Sequence, residues 1–531
     1  MAYRVLITDA VDPVCVDMLQ EAGIEADVRL KQSPEALKAI VHAYDGWIIR
    51  SGTRITSDLI DAAERLQVIG RAGVGVDNID LEAATRKGVL VVNAPEGNTI
   101  STAEHTSAMI LALARNIPAA TASLQSGAWE RKAFSGTELY GKTLGIIGVG
   151  KIGRTVAQRM AAFGMDILGY DPLLSDEVAR RYGVTRVSLP ELLERSDIIT
   201  VHTPLNKHTR GLLNRETLAQ CKPGVWIVNC ARGGVVDEEA LLEALESGQV
   251  GGAALDVYAQ EPPGALQRRL IAHPRVVATP HIAASTAEAQ EKVARQVTEE
   301  VIHALRGEPV RTPVNAMAIR MAAHPEVQPY LQLADRLGQV AAQLVDGALQ
   351  RVHVRLYGTL TGQYADVISL AVLKGILSQW LHTPVNFVNA PVLAREKGLE
   401  VDVQKSSGEE DFTQLVEVAV EDEQGRKVSL AGTVIGRREP RIVRLNEYHF
   451  EVRPEGQLLF YHNVDRPGML ARVGQLLAEA DINIAGLALG RQEPGSDALT
   501  AISVDTPVPD SVLEAVADIP GIRDVKQVKI H

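Results

Sequence analysis

Aromatic side chains make up only 4% of this chain. That leaves little material for the stacking platforms that hold single-stranded nucleic acid. Cations are in deficit as well: 54 Lys and Arg face 66 Asp and Glu, for a formal net charge of −12. Such a balance argues against nonspecific binding to nucleic acid or to an acidic membrane surface. Cysteine is scarce, with Cys15, Cys221 and Cys230 at no metal-ligand spacing. An odd, sparse set argues against a disulfide framework, fits a reducing compartment and leaves no metal site to expect. No apolar run reaches the ~18 residues of a membrane span, and the opening MAYRVLITDA reads as a strand where a signal peptide would stand. The expectation is a soluble cytoplasmic protein without nucleic-acid or membrane partners.

What is present is a large apolar fraction, 46% of 531 residues. At one domain per ~150 residues this length suggests three or four cores. From residue 1 to about 92, short apolar runs (RVLITD, GWIIRS, LQVIGRAG, GVLVVNAP) alternate with helical patterns. That rhythm predicts an open parallel sheet with helices on both faces. The stretch NTISTAEHTSAMILALARN then reads as a long helix, with Ser101 and Glu104 as a capping box. A second α/β rhythm runs from KTLGIIGVGKIG through RVVATPHIAAS. A second long helix follows, with Ser285 and Glu288 as its capping box and Gly307 as its stop. If it packs back on the first unit, that domain is discontinuous. The expected domains are then residues 1–97 with 286–312 for substrate, 98–285 for a dinucleotide, an α+β segment over 317–453, and 456–531. The last segment reads β-α-β-β-α-β. The expected fold class is α/β, with two doubly wound domains enclosing a cleft and two smaller modules following.

One motif points to a ligand at once. GVGKIG sets Gly148, Gly150 and Gly153 as G-x-G-x-x-G directly after the strand TLGIIG and at the start of a helix. The first glycine permits the tight turn, the second lets backbone approach a pyrophosphate, and the third lets the helix pack on the strand. Free N–H groups at the helix start favour the anion. Asp171 in GYDP falls where the fingerprint wants an acid for the ribose hydroxyls. It would repel a 2′-phosphate, and Pro172, Leu173 and Leu174 supply no arginine to neutralise one. The cofactor expected is NAD and not NADP. A glycine-rich turn without a ligand is the alternative.

Three further segments end predicted strands of the same domain: NCARGG with Arg232, DVYAQEPP with Glu261, and TPHIAAS with His281. The carboxyl edge of a doubly wound sheet is where ligands bind. A histidine can take a hydroxyl proton as hydride leaves the same carbon, a carboxylate can fix its tautomer, and an arginine can grip a substrate carboxylate. Taken singly, each residue also fits a plain role: a surface ion pair, a turn before Pro-Pro, a structural histidine. Spacing alone does not make them converge.

The ordered set GRAGVGVDNID, GIIGVGKIGR, VHTPL, NCARGGVVDEEAL, ALDVYAQEPP and TPHIAAST resembles the D-isomer-specific 2-hydroxyacid dehydrogenases over residues 1 to about 312. The resemblance implies that Arg232 binds substrate, Glu261 partners the base and His281 is the acid/base. It places Lys151 and Ile152 in the pyrophosphate loop. It lines the cofactor with Val74, Thr203, Cys230, Ala231, Asp256 and residues Ile282, Ala283 and Ala284. An acidic protein handling a phosphorylated acid needs local cations. Arg50 and Arg71 stand at ends of first-domain strands, and with Ser51 and Asn98 they match substrate-contacting or nearby positions of the family. For Arg50 and Arg71, pairing with nearby acids is the plain alternative.

The tail decides between branches. HNVDRPGML and the β-α-β-β-α-β pattern resemble an ACT domain, a sensor fold of amino-acid enzymes. The segment before it resembles the extra domain of the long-form branch that oxidises D-3-phosphoglycerate to 3-phosphohydroxypyruvate at the entry to L-serine synthesis. Hydroxypyruvate or glyoxylate reductases share the first half and generally lack both modules. An NAD-sensing corepressor or scaffold is the non-enzymatic alternative. The resemblance further implies L-serine as an effector, with Asn463 and Asp465 on the first loop of the ACT-like module and Asn483 across a crease between paired modules. Turn-forming and strand-edge roles are the plain alternatives. A homodimer or homotetramer is expected through the long helix near residue 100 and the SGAWERKAFSGTELYG segment.

Overall fold

The computed structural model describes residues 3–316, 318–322, 324–381, 383–406, 412–436 and 438–531. Residue 317, where the intervening segment is expected to begin, lies outside them. Four sheets organise the described residues.

The first sheet has five parallel strands, ordered Glu25–Val28, Arg4–Ile7, Gly46–Ile49, Val68–Arg71, Leu90–Asn93. Its inner strands are short apolar runs buried on both faces, as parallel strands between helices require. The long helix Ala287–Arg306 lies on this sheet, with Val293, Val297 and Val301 in its core. Gly70 makes that approach possible: a Cβ there would stand 2.6 Å from a Val301 methyl.

The second sheet has seven parallel strands, ordered Val276–Ala278, Val250–Leu255, Val225–Asn229, Ile198–Val201, Thr143–Ile147, Asp166–Tyr170, Thr185–Arg186. The order reverses at Thr143–Ile147, which creates the crevice where a doubly wound sheet binds ligands. The helix Thr99–Ala114 belongs to this core through Ala103, Met109 and Ile110.

Both expected capping boxes are corrected. The first helix begins at Thr99, so Ser101 and Glu104 lie inside it. There Ser101 bonds the Thr286 hydroxyl at 2.8 Å and Glu104 pairs with Arg159. The second helix is capped one residue later than expected, by Thr286, whose hydroxyl accepts from the Ala289 N–H. A capping residue is chosen by where the backbone turns helical, and the S-x-x-E spacing recurs by chance within helices. Gly307 does end that helix, in the left-handed conformation at φ 69°.

The third sheet is mixed, ordered Glu400–Ser406, Leu349–Tyr357, Leu415–Asp422, Lys427–Ile435, Glu439–Leu445, Tyr448–Val452. Helices Gln328–Leu344 and Ala365–Trp380 cross at backbone contact, since a Cβ on Gly375 would stand 2.0 Å from the Asp335 carbonyl. The fourth sheet orders Ile484–Arg491, Asp497–Val504, Gly456–Val464, Ile522–Ile530. Its helices Met469–Glu479 and Asp510–Ala517 cover one face. The other face, with Leu458, Phe460, Ala501 and Val528, shares one core with the third sheet and its helices. Among the described residues no helix is long and apolar enough to cross a membrane.

Candidate active site

Strand ends of the first two sheets face each other across a cleft. One cavity of ≈ 700 Å³ is walled by Arg50, Ser51, Arg71 and Asn98 on one side and by Tyr258, Glu261 and His281 on the other. A contiguous one of ≈ 320 Å³ adds Val74, Gly75, Asp77 and Arg232. The residues that spacing alone left scattered therefore meet in one place.

His281 Nδ1 lies 2.8 Å from Glu261 Oε2. The other Glu261 oxygen accepts the Tyr258 N–H at 3.0 Å. Burial pushes the Glu261 carboxyl up, but the bonds from His281 and Tyr258 outweigh it and hold it below the usual range. The carboxylate thus stays ionised and fixes Nδ1 as the protonated nitrogen, which leaves Nε2 to exchange a proton. His281 sits at φ 54°, and its N–H donates to the Asp256 carbonyl at 2.8 Å. The strained turn aims the ring into the cleft.

Arg232 follows the strand Val225–Asn229. Its Nε donates to Asp77 at 3.1 Å and its Nη1 to the Ala231 carbonyl at 2.6 Å. Asn229 braces the turn by donating to the Arg232 carbonyl and accepting the Ala231 N–H. Arg71 is mostly buried, and burial lowers its guanidinium to about 10, with Arg232 and Arg50 adding repulsion. Asp77 answers part of this charge through Arg232, and Arg50 and Arg71 are left to be answered by an anion in the cleft. Arg71 Nε and Asn98 Oδ1 are buried with no hydrogen-bond partner among the described residues, and both residues wall the larger cavity. Arg50 Nη1 donates to the Ala10 carbonyl, so neither it nor Arg71 is neutralised by a direct ion pair among the described residues.

The dinucleotide loop carries three distinct glycine environments. Gly148 has φ 91°, and a Cβ there would meet the His202 carbonyl at 2.7 Å. A Cβ on Gly153 would stand 2.2 Å from the Gly148 oxygen, so helix and strand need this glycine. At Gly150 a Cβ would meet nothing within 4 Å. That open side adjoins the start of helix Lys151–Ala161, whose cap has no side-chain partner. A pyrophosphate fits there. Asp171, just past Asp166–Tyr170, accepts the Val149 N–H at 3.0 Å and the Leu173 N–H at 2.9 Å. It thus ties the loop to the strand end where ribose hydroxyls would lie. Lys151 pairs with Glu96 of the first domain and lies half exposed beside Ile152.

The remaining cofactor positions divide. Val74 and Ala284 line the smaller cavity, while Ala231 is half-buried and Ile282 is 42% exposed. Thr203 stands against Gly148, with its hydroxyl buried and without a hydrogen-bond partner among the described residues. Asp256 is 0% exposed, so the structure places it behind the cofactor wall expected of it. Its carboxylate accepts from the Thr279 hydroxyl at 2.6 Å and from the N–H groups of Ile282 and Ala283 at 2.8 and 2.9 Å. It therefore holds the loop that carries His281. Cys230 and Ala283 are buried likewise, and burial pushes the Cys230 thiol up to about 12, so no thiolate forms there.

Sequence reasoning missed four supports: Asp9, which accepts the N–H groups of Arg50 and Thr53; Asn78, which bridges the carbonyls of the same two residues; Asp77; and Tyr258. All four stand within stretches the sequence singled out, Asp9 in RVLITD, Asp77 and Asn78 in GRAGVGVDNID and Tyr258 in ALDVYAQEPP, but none carries a residue type that marks it as a support.

In the last module Asn463 is corrected from loop to strand. It lies in Gly456–Val464, 3% exposed, its amide used by Thr500 and Val464. Asp465 accepts from Gly495 N–H and Arg491, which hold its carboxyl below the usual range. Asn483 donates to Asp505 at 2.7 Å. Asp465 and Asn483 stand at opposite ends of Ile484–Arg491, on the order of 25 Å apart in one chain. Among the described residues no cluster of His, Cys, Asp and Glu is arranged to hold a metal.

Residues 107–283 match the family of D-isomer specific 2-hydroxyacid dehydrogenase NAD binding domains. Residues 326–446 match the D-3-phosphoglycerate dehydrogenase intervening domain and residues 457–521 the ACT domain. The chain is 43% identical over 528 residues to the D-3-phosphoglycerate dehydrogenase of Methanocaldococcus jannaschii, covering 99% of this chain and 100% of that one. It is 45% identical over 493 residues to the human enzyme of the same name, covering 91% of each. Among solved structures, the D-lactate dehydrogenase of Aquifex aeolicus complexed with NAD and lactic acid superposes with a TM-score of 0.53 at 30% identity, over 57% of this chain and 96% of that one.

Proposed function

The chain belongs to the D-3-phosphoglycerate dehydrogenases, NAD-dependent members of the D-isomer-specific 2-hydroxyacid dehydrogenase family, and we propose how its residues oxidise D-3-phosphoglycerate to 3-phosphohydroxypyruvate. Bound NAD supplies the acceptor for the hydride that leaves C2. Arg232 grips the substrate carboxylate, and its charge polarises the adjacent C2 oxygen. Arg50 and Arg71 take the phosphate end, with the Asn98 Nδ2 amide as a further donor. His281 Nε2 accepts the C2 hydroxyl proton as the C–H bond breaks and the carbonyl forms, and returns it in reduction. Glu261 stabilises the imidazolium so produced. The tight glycine loop and Asp171 seat the dinucleotide.

The observation that carries this assignment is the 2.8 Å His281–Glu261 pair facing Arg50, Arg71 and Arg232 across two contiguous cavities. A monoanionic acid such as lactate or glyoxylate, gripped by Arg232, would leave Arg50 and Arg71 unanswered. The test is NADH formation from D-3-phosphoglycerate, with hydroxypyruvate reduction run alongside. Turnover of phosphoglycerate is expected, with His281→Ala lowering kcat by about 10²–10⁴-fold while NAD still binds. A folded preparation that turns over only hydroxypyruvate would sink the phosphate assignment.

Three finer readings go with it. The protein works in the cytoplasm. It assembles as a homodimer or homotetramer, supported by exposed Ile117, Leu124, Trp129 and Tyr140 on the 117–140 segment. L-Serine binds the ACT module with Asp465 and Asn483 as polar anchors. Their separation within one chain favours a crease formed by two copies.

A further inference from the structure

The linker between the catalytic and regulatory halves is woven into the first sheet. Residues 311–315 run antiparallel along the edge strand Leu90–Asn93. The Val314 N–H donates to the Val91 carbonyl at 2.7 Å, and the Thr312 hydroxyl donates to the Asn93 carbonyl at 2.7 Å. The segment is pinned from behind by Glu300, 2% exposed, which accepts the N–H groups of Arg311 and Thr312 at 2.7 and 3.1 Å. Asn315 extends the seam: its Oδ1 accepts the Val91 N–H and its Nδ2 donates to the Val89 carbonyl, each at 2.9 Å. A buried acid committed to two linker amides is costly to misplace, so the seam has one register.

The same edge strand ends in the cleft. Asn93 Nδ2 donates to the Val74 carbonyl at 2.7 Å, and the Ala94 N–H donates to the Gly73 carbonyl at 3.0 Å. These bonds hold the 73–75 loop, which has no slack against the cations. A Cβ on Gly73 would stand 1.4 Å from Arg71 Nη1, and one on Gly75 would stand 1.9 Å from Arg232 Nη2. Both guanidiniums lie directly on the loop backbone. A shift of that backbone shifts both.

We propose that Asn93 is a positioning residue for Arg71 and Arg232, and that the linker strand holds Asn93 in register, so that a displacement of the linker is felt at the substrate cations. The proposal rests on the assignment of those arginines to substrate. Glu300, Thr312, Asn93 and Val74 are joined by one contiguous run of hydrogen bonds.

The test uses the full chain with Asn93→Ala, Thr312→Val and Thr312→Ser. One lost hydrogen bond changes an equilibrium constant by up to about tenfold. Asn93→Ala should raise the KM for D-3-phosphoglycerate by about that factor and weaken binding of inorganic phosphate in parallel. Thr312→Val, outside both cavity walls, should raise the same KM by roughly threefold, and Thr312→Ser should restore it. Unchanged KM and phosphate affinity in Asn93→Ala, even with a lower Tm, overturns the positioning role. A normal KM in Thr312→Val overturns the link to the linker. Phosphate binding decides the matter even if the protein proves inactive on phosphoglycerate, and the two Thr312 variants decide it if Asn93→Ala does not fold.

Discussion

At the residue scale, the site depends on carboxylates that are kept ionised by what they accept. Asp256 is the clearest. Burial pushes its carboxyl up, but bonds from His105, Thr279 and the Ile282 and Ala283 N–H groups outweigh this and hold it below the usual range. A depressed folded value means its stabilisation is complete above the unfolded value of about 3.9 and is lost as pH falls through the folded one. Asp256→Asn should therefore cost about 1–3 kcal/mol at neutral pH. The gap in Tm from wild type should close only in acid, below the ordinary aspartate range. A gap that persists unchanged there would show that the charge contributes nothing. Because this carboxylate holds the loop bearing His281, kcat should fall with it.

At the element scale, the dinucleotide turn separates two demands that one motif serves. Gly153→Ala forces a methyl against a backbone oxygen 2.2 Å away, and backbone cannot yield. Both Tm and NAD affinity should drop. Gly150→Ala puts its methyl in open space. Its Tm should stay close to wild type while NAD affinity, read by fluorescence quenching, falls by about tenfold or more, since a methyl there takes the room the pyrophosphate needs. If the two variants behave alike, the division is wrong. The turn itself was legible from spacing, because its geometry is local. The helix caps were less so: Thr286 and not Ser285 caps the second long helix. Adjacent hydroxyls look alike in sequence, and the backbone entering the helix chooses between them.

At the scale of the whole molecule, the two C-terminal modules are one body. Phe460 of the last module is 1% exposed and sits in a core shared with helices Gln328–Leu344 and Ala365–Trp380. Gln343 clasps the edge strand Ile522–Ile530 through both its amide atoms at Lys529. Phe460→Ala should cost about 3–5 kcal/mol and lower the melting of both modules together. Calorimetry resolving two independent transitions for residues 324–452 and 456–531 would contradict the shared core.

The sequence by itself determined the local chemistry: which turn grips a dinucleotide, which strand ends carry Arg232, Glu261 and His281, and which runs become buried parallel strands. These follow from glycine spacing, apolar periodicity and residue type, all short-range properties. Only the tertiary structure decided convergence. Glu261 and His281 meet through a turn at φ 54°, Arg232 finds Asp77 from another domain, and Asp256 withdraws behind the wall it was expected to line. Asn463 is likewise taken up by Thr500 across the sheet. Each outcome depends on contacts between residues distant in the chain, and no spacing within a single stretch encodes which distant partner will satisfy a buried polar group.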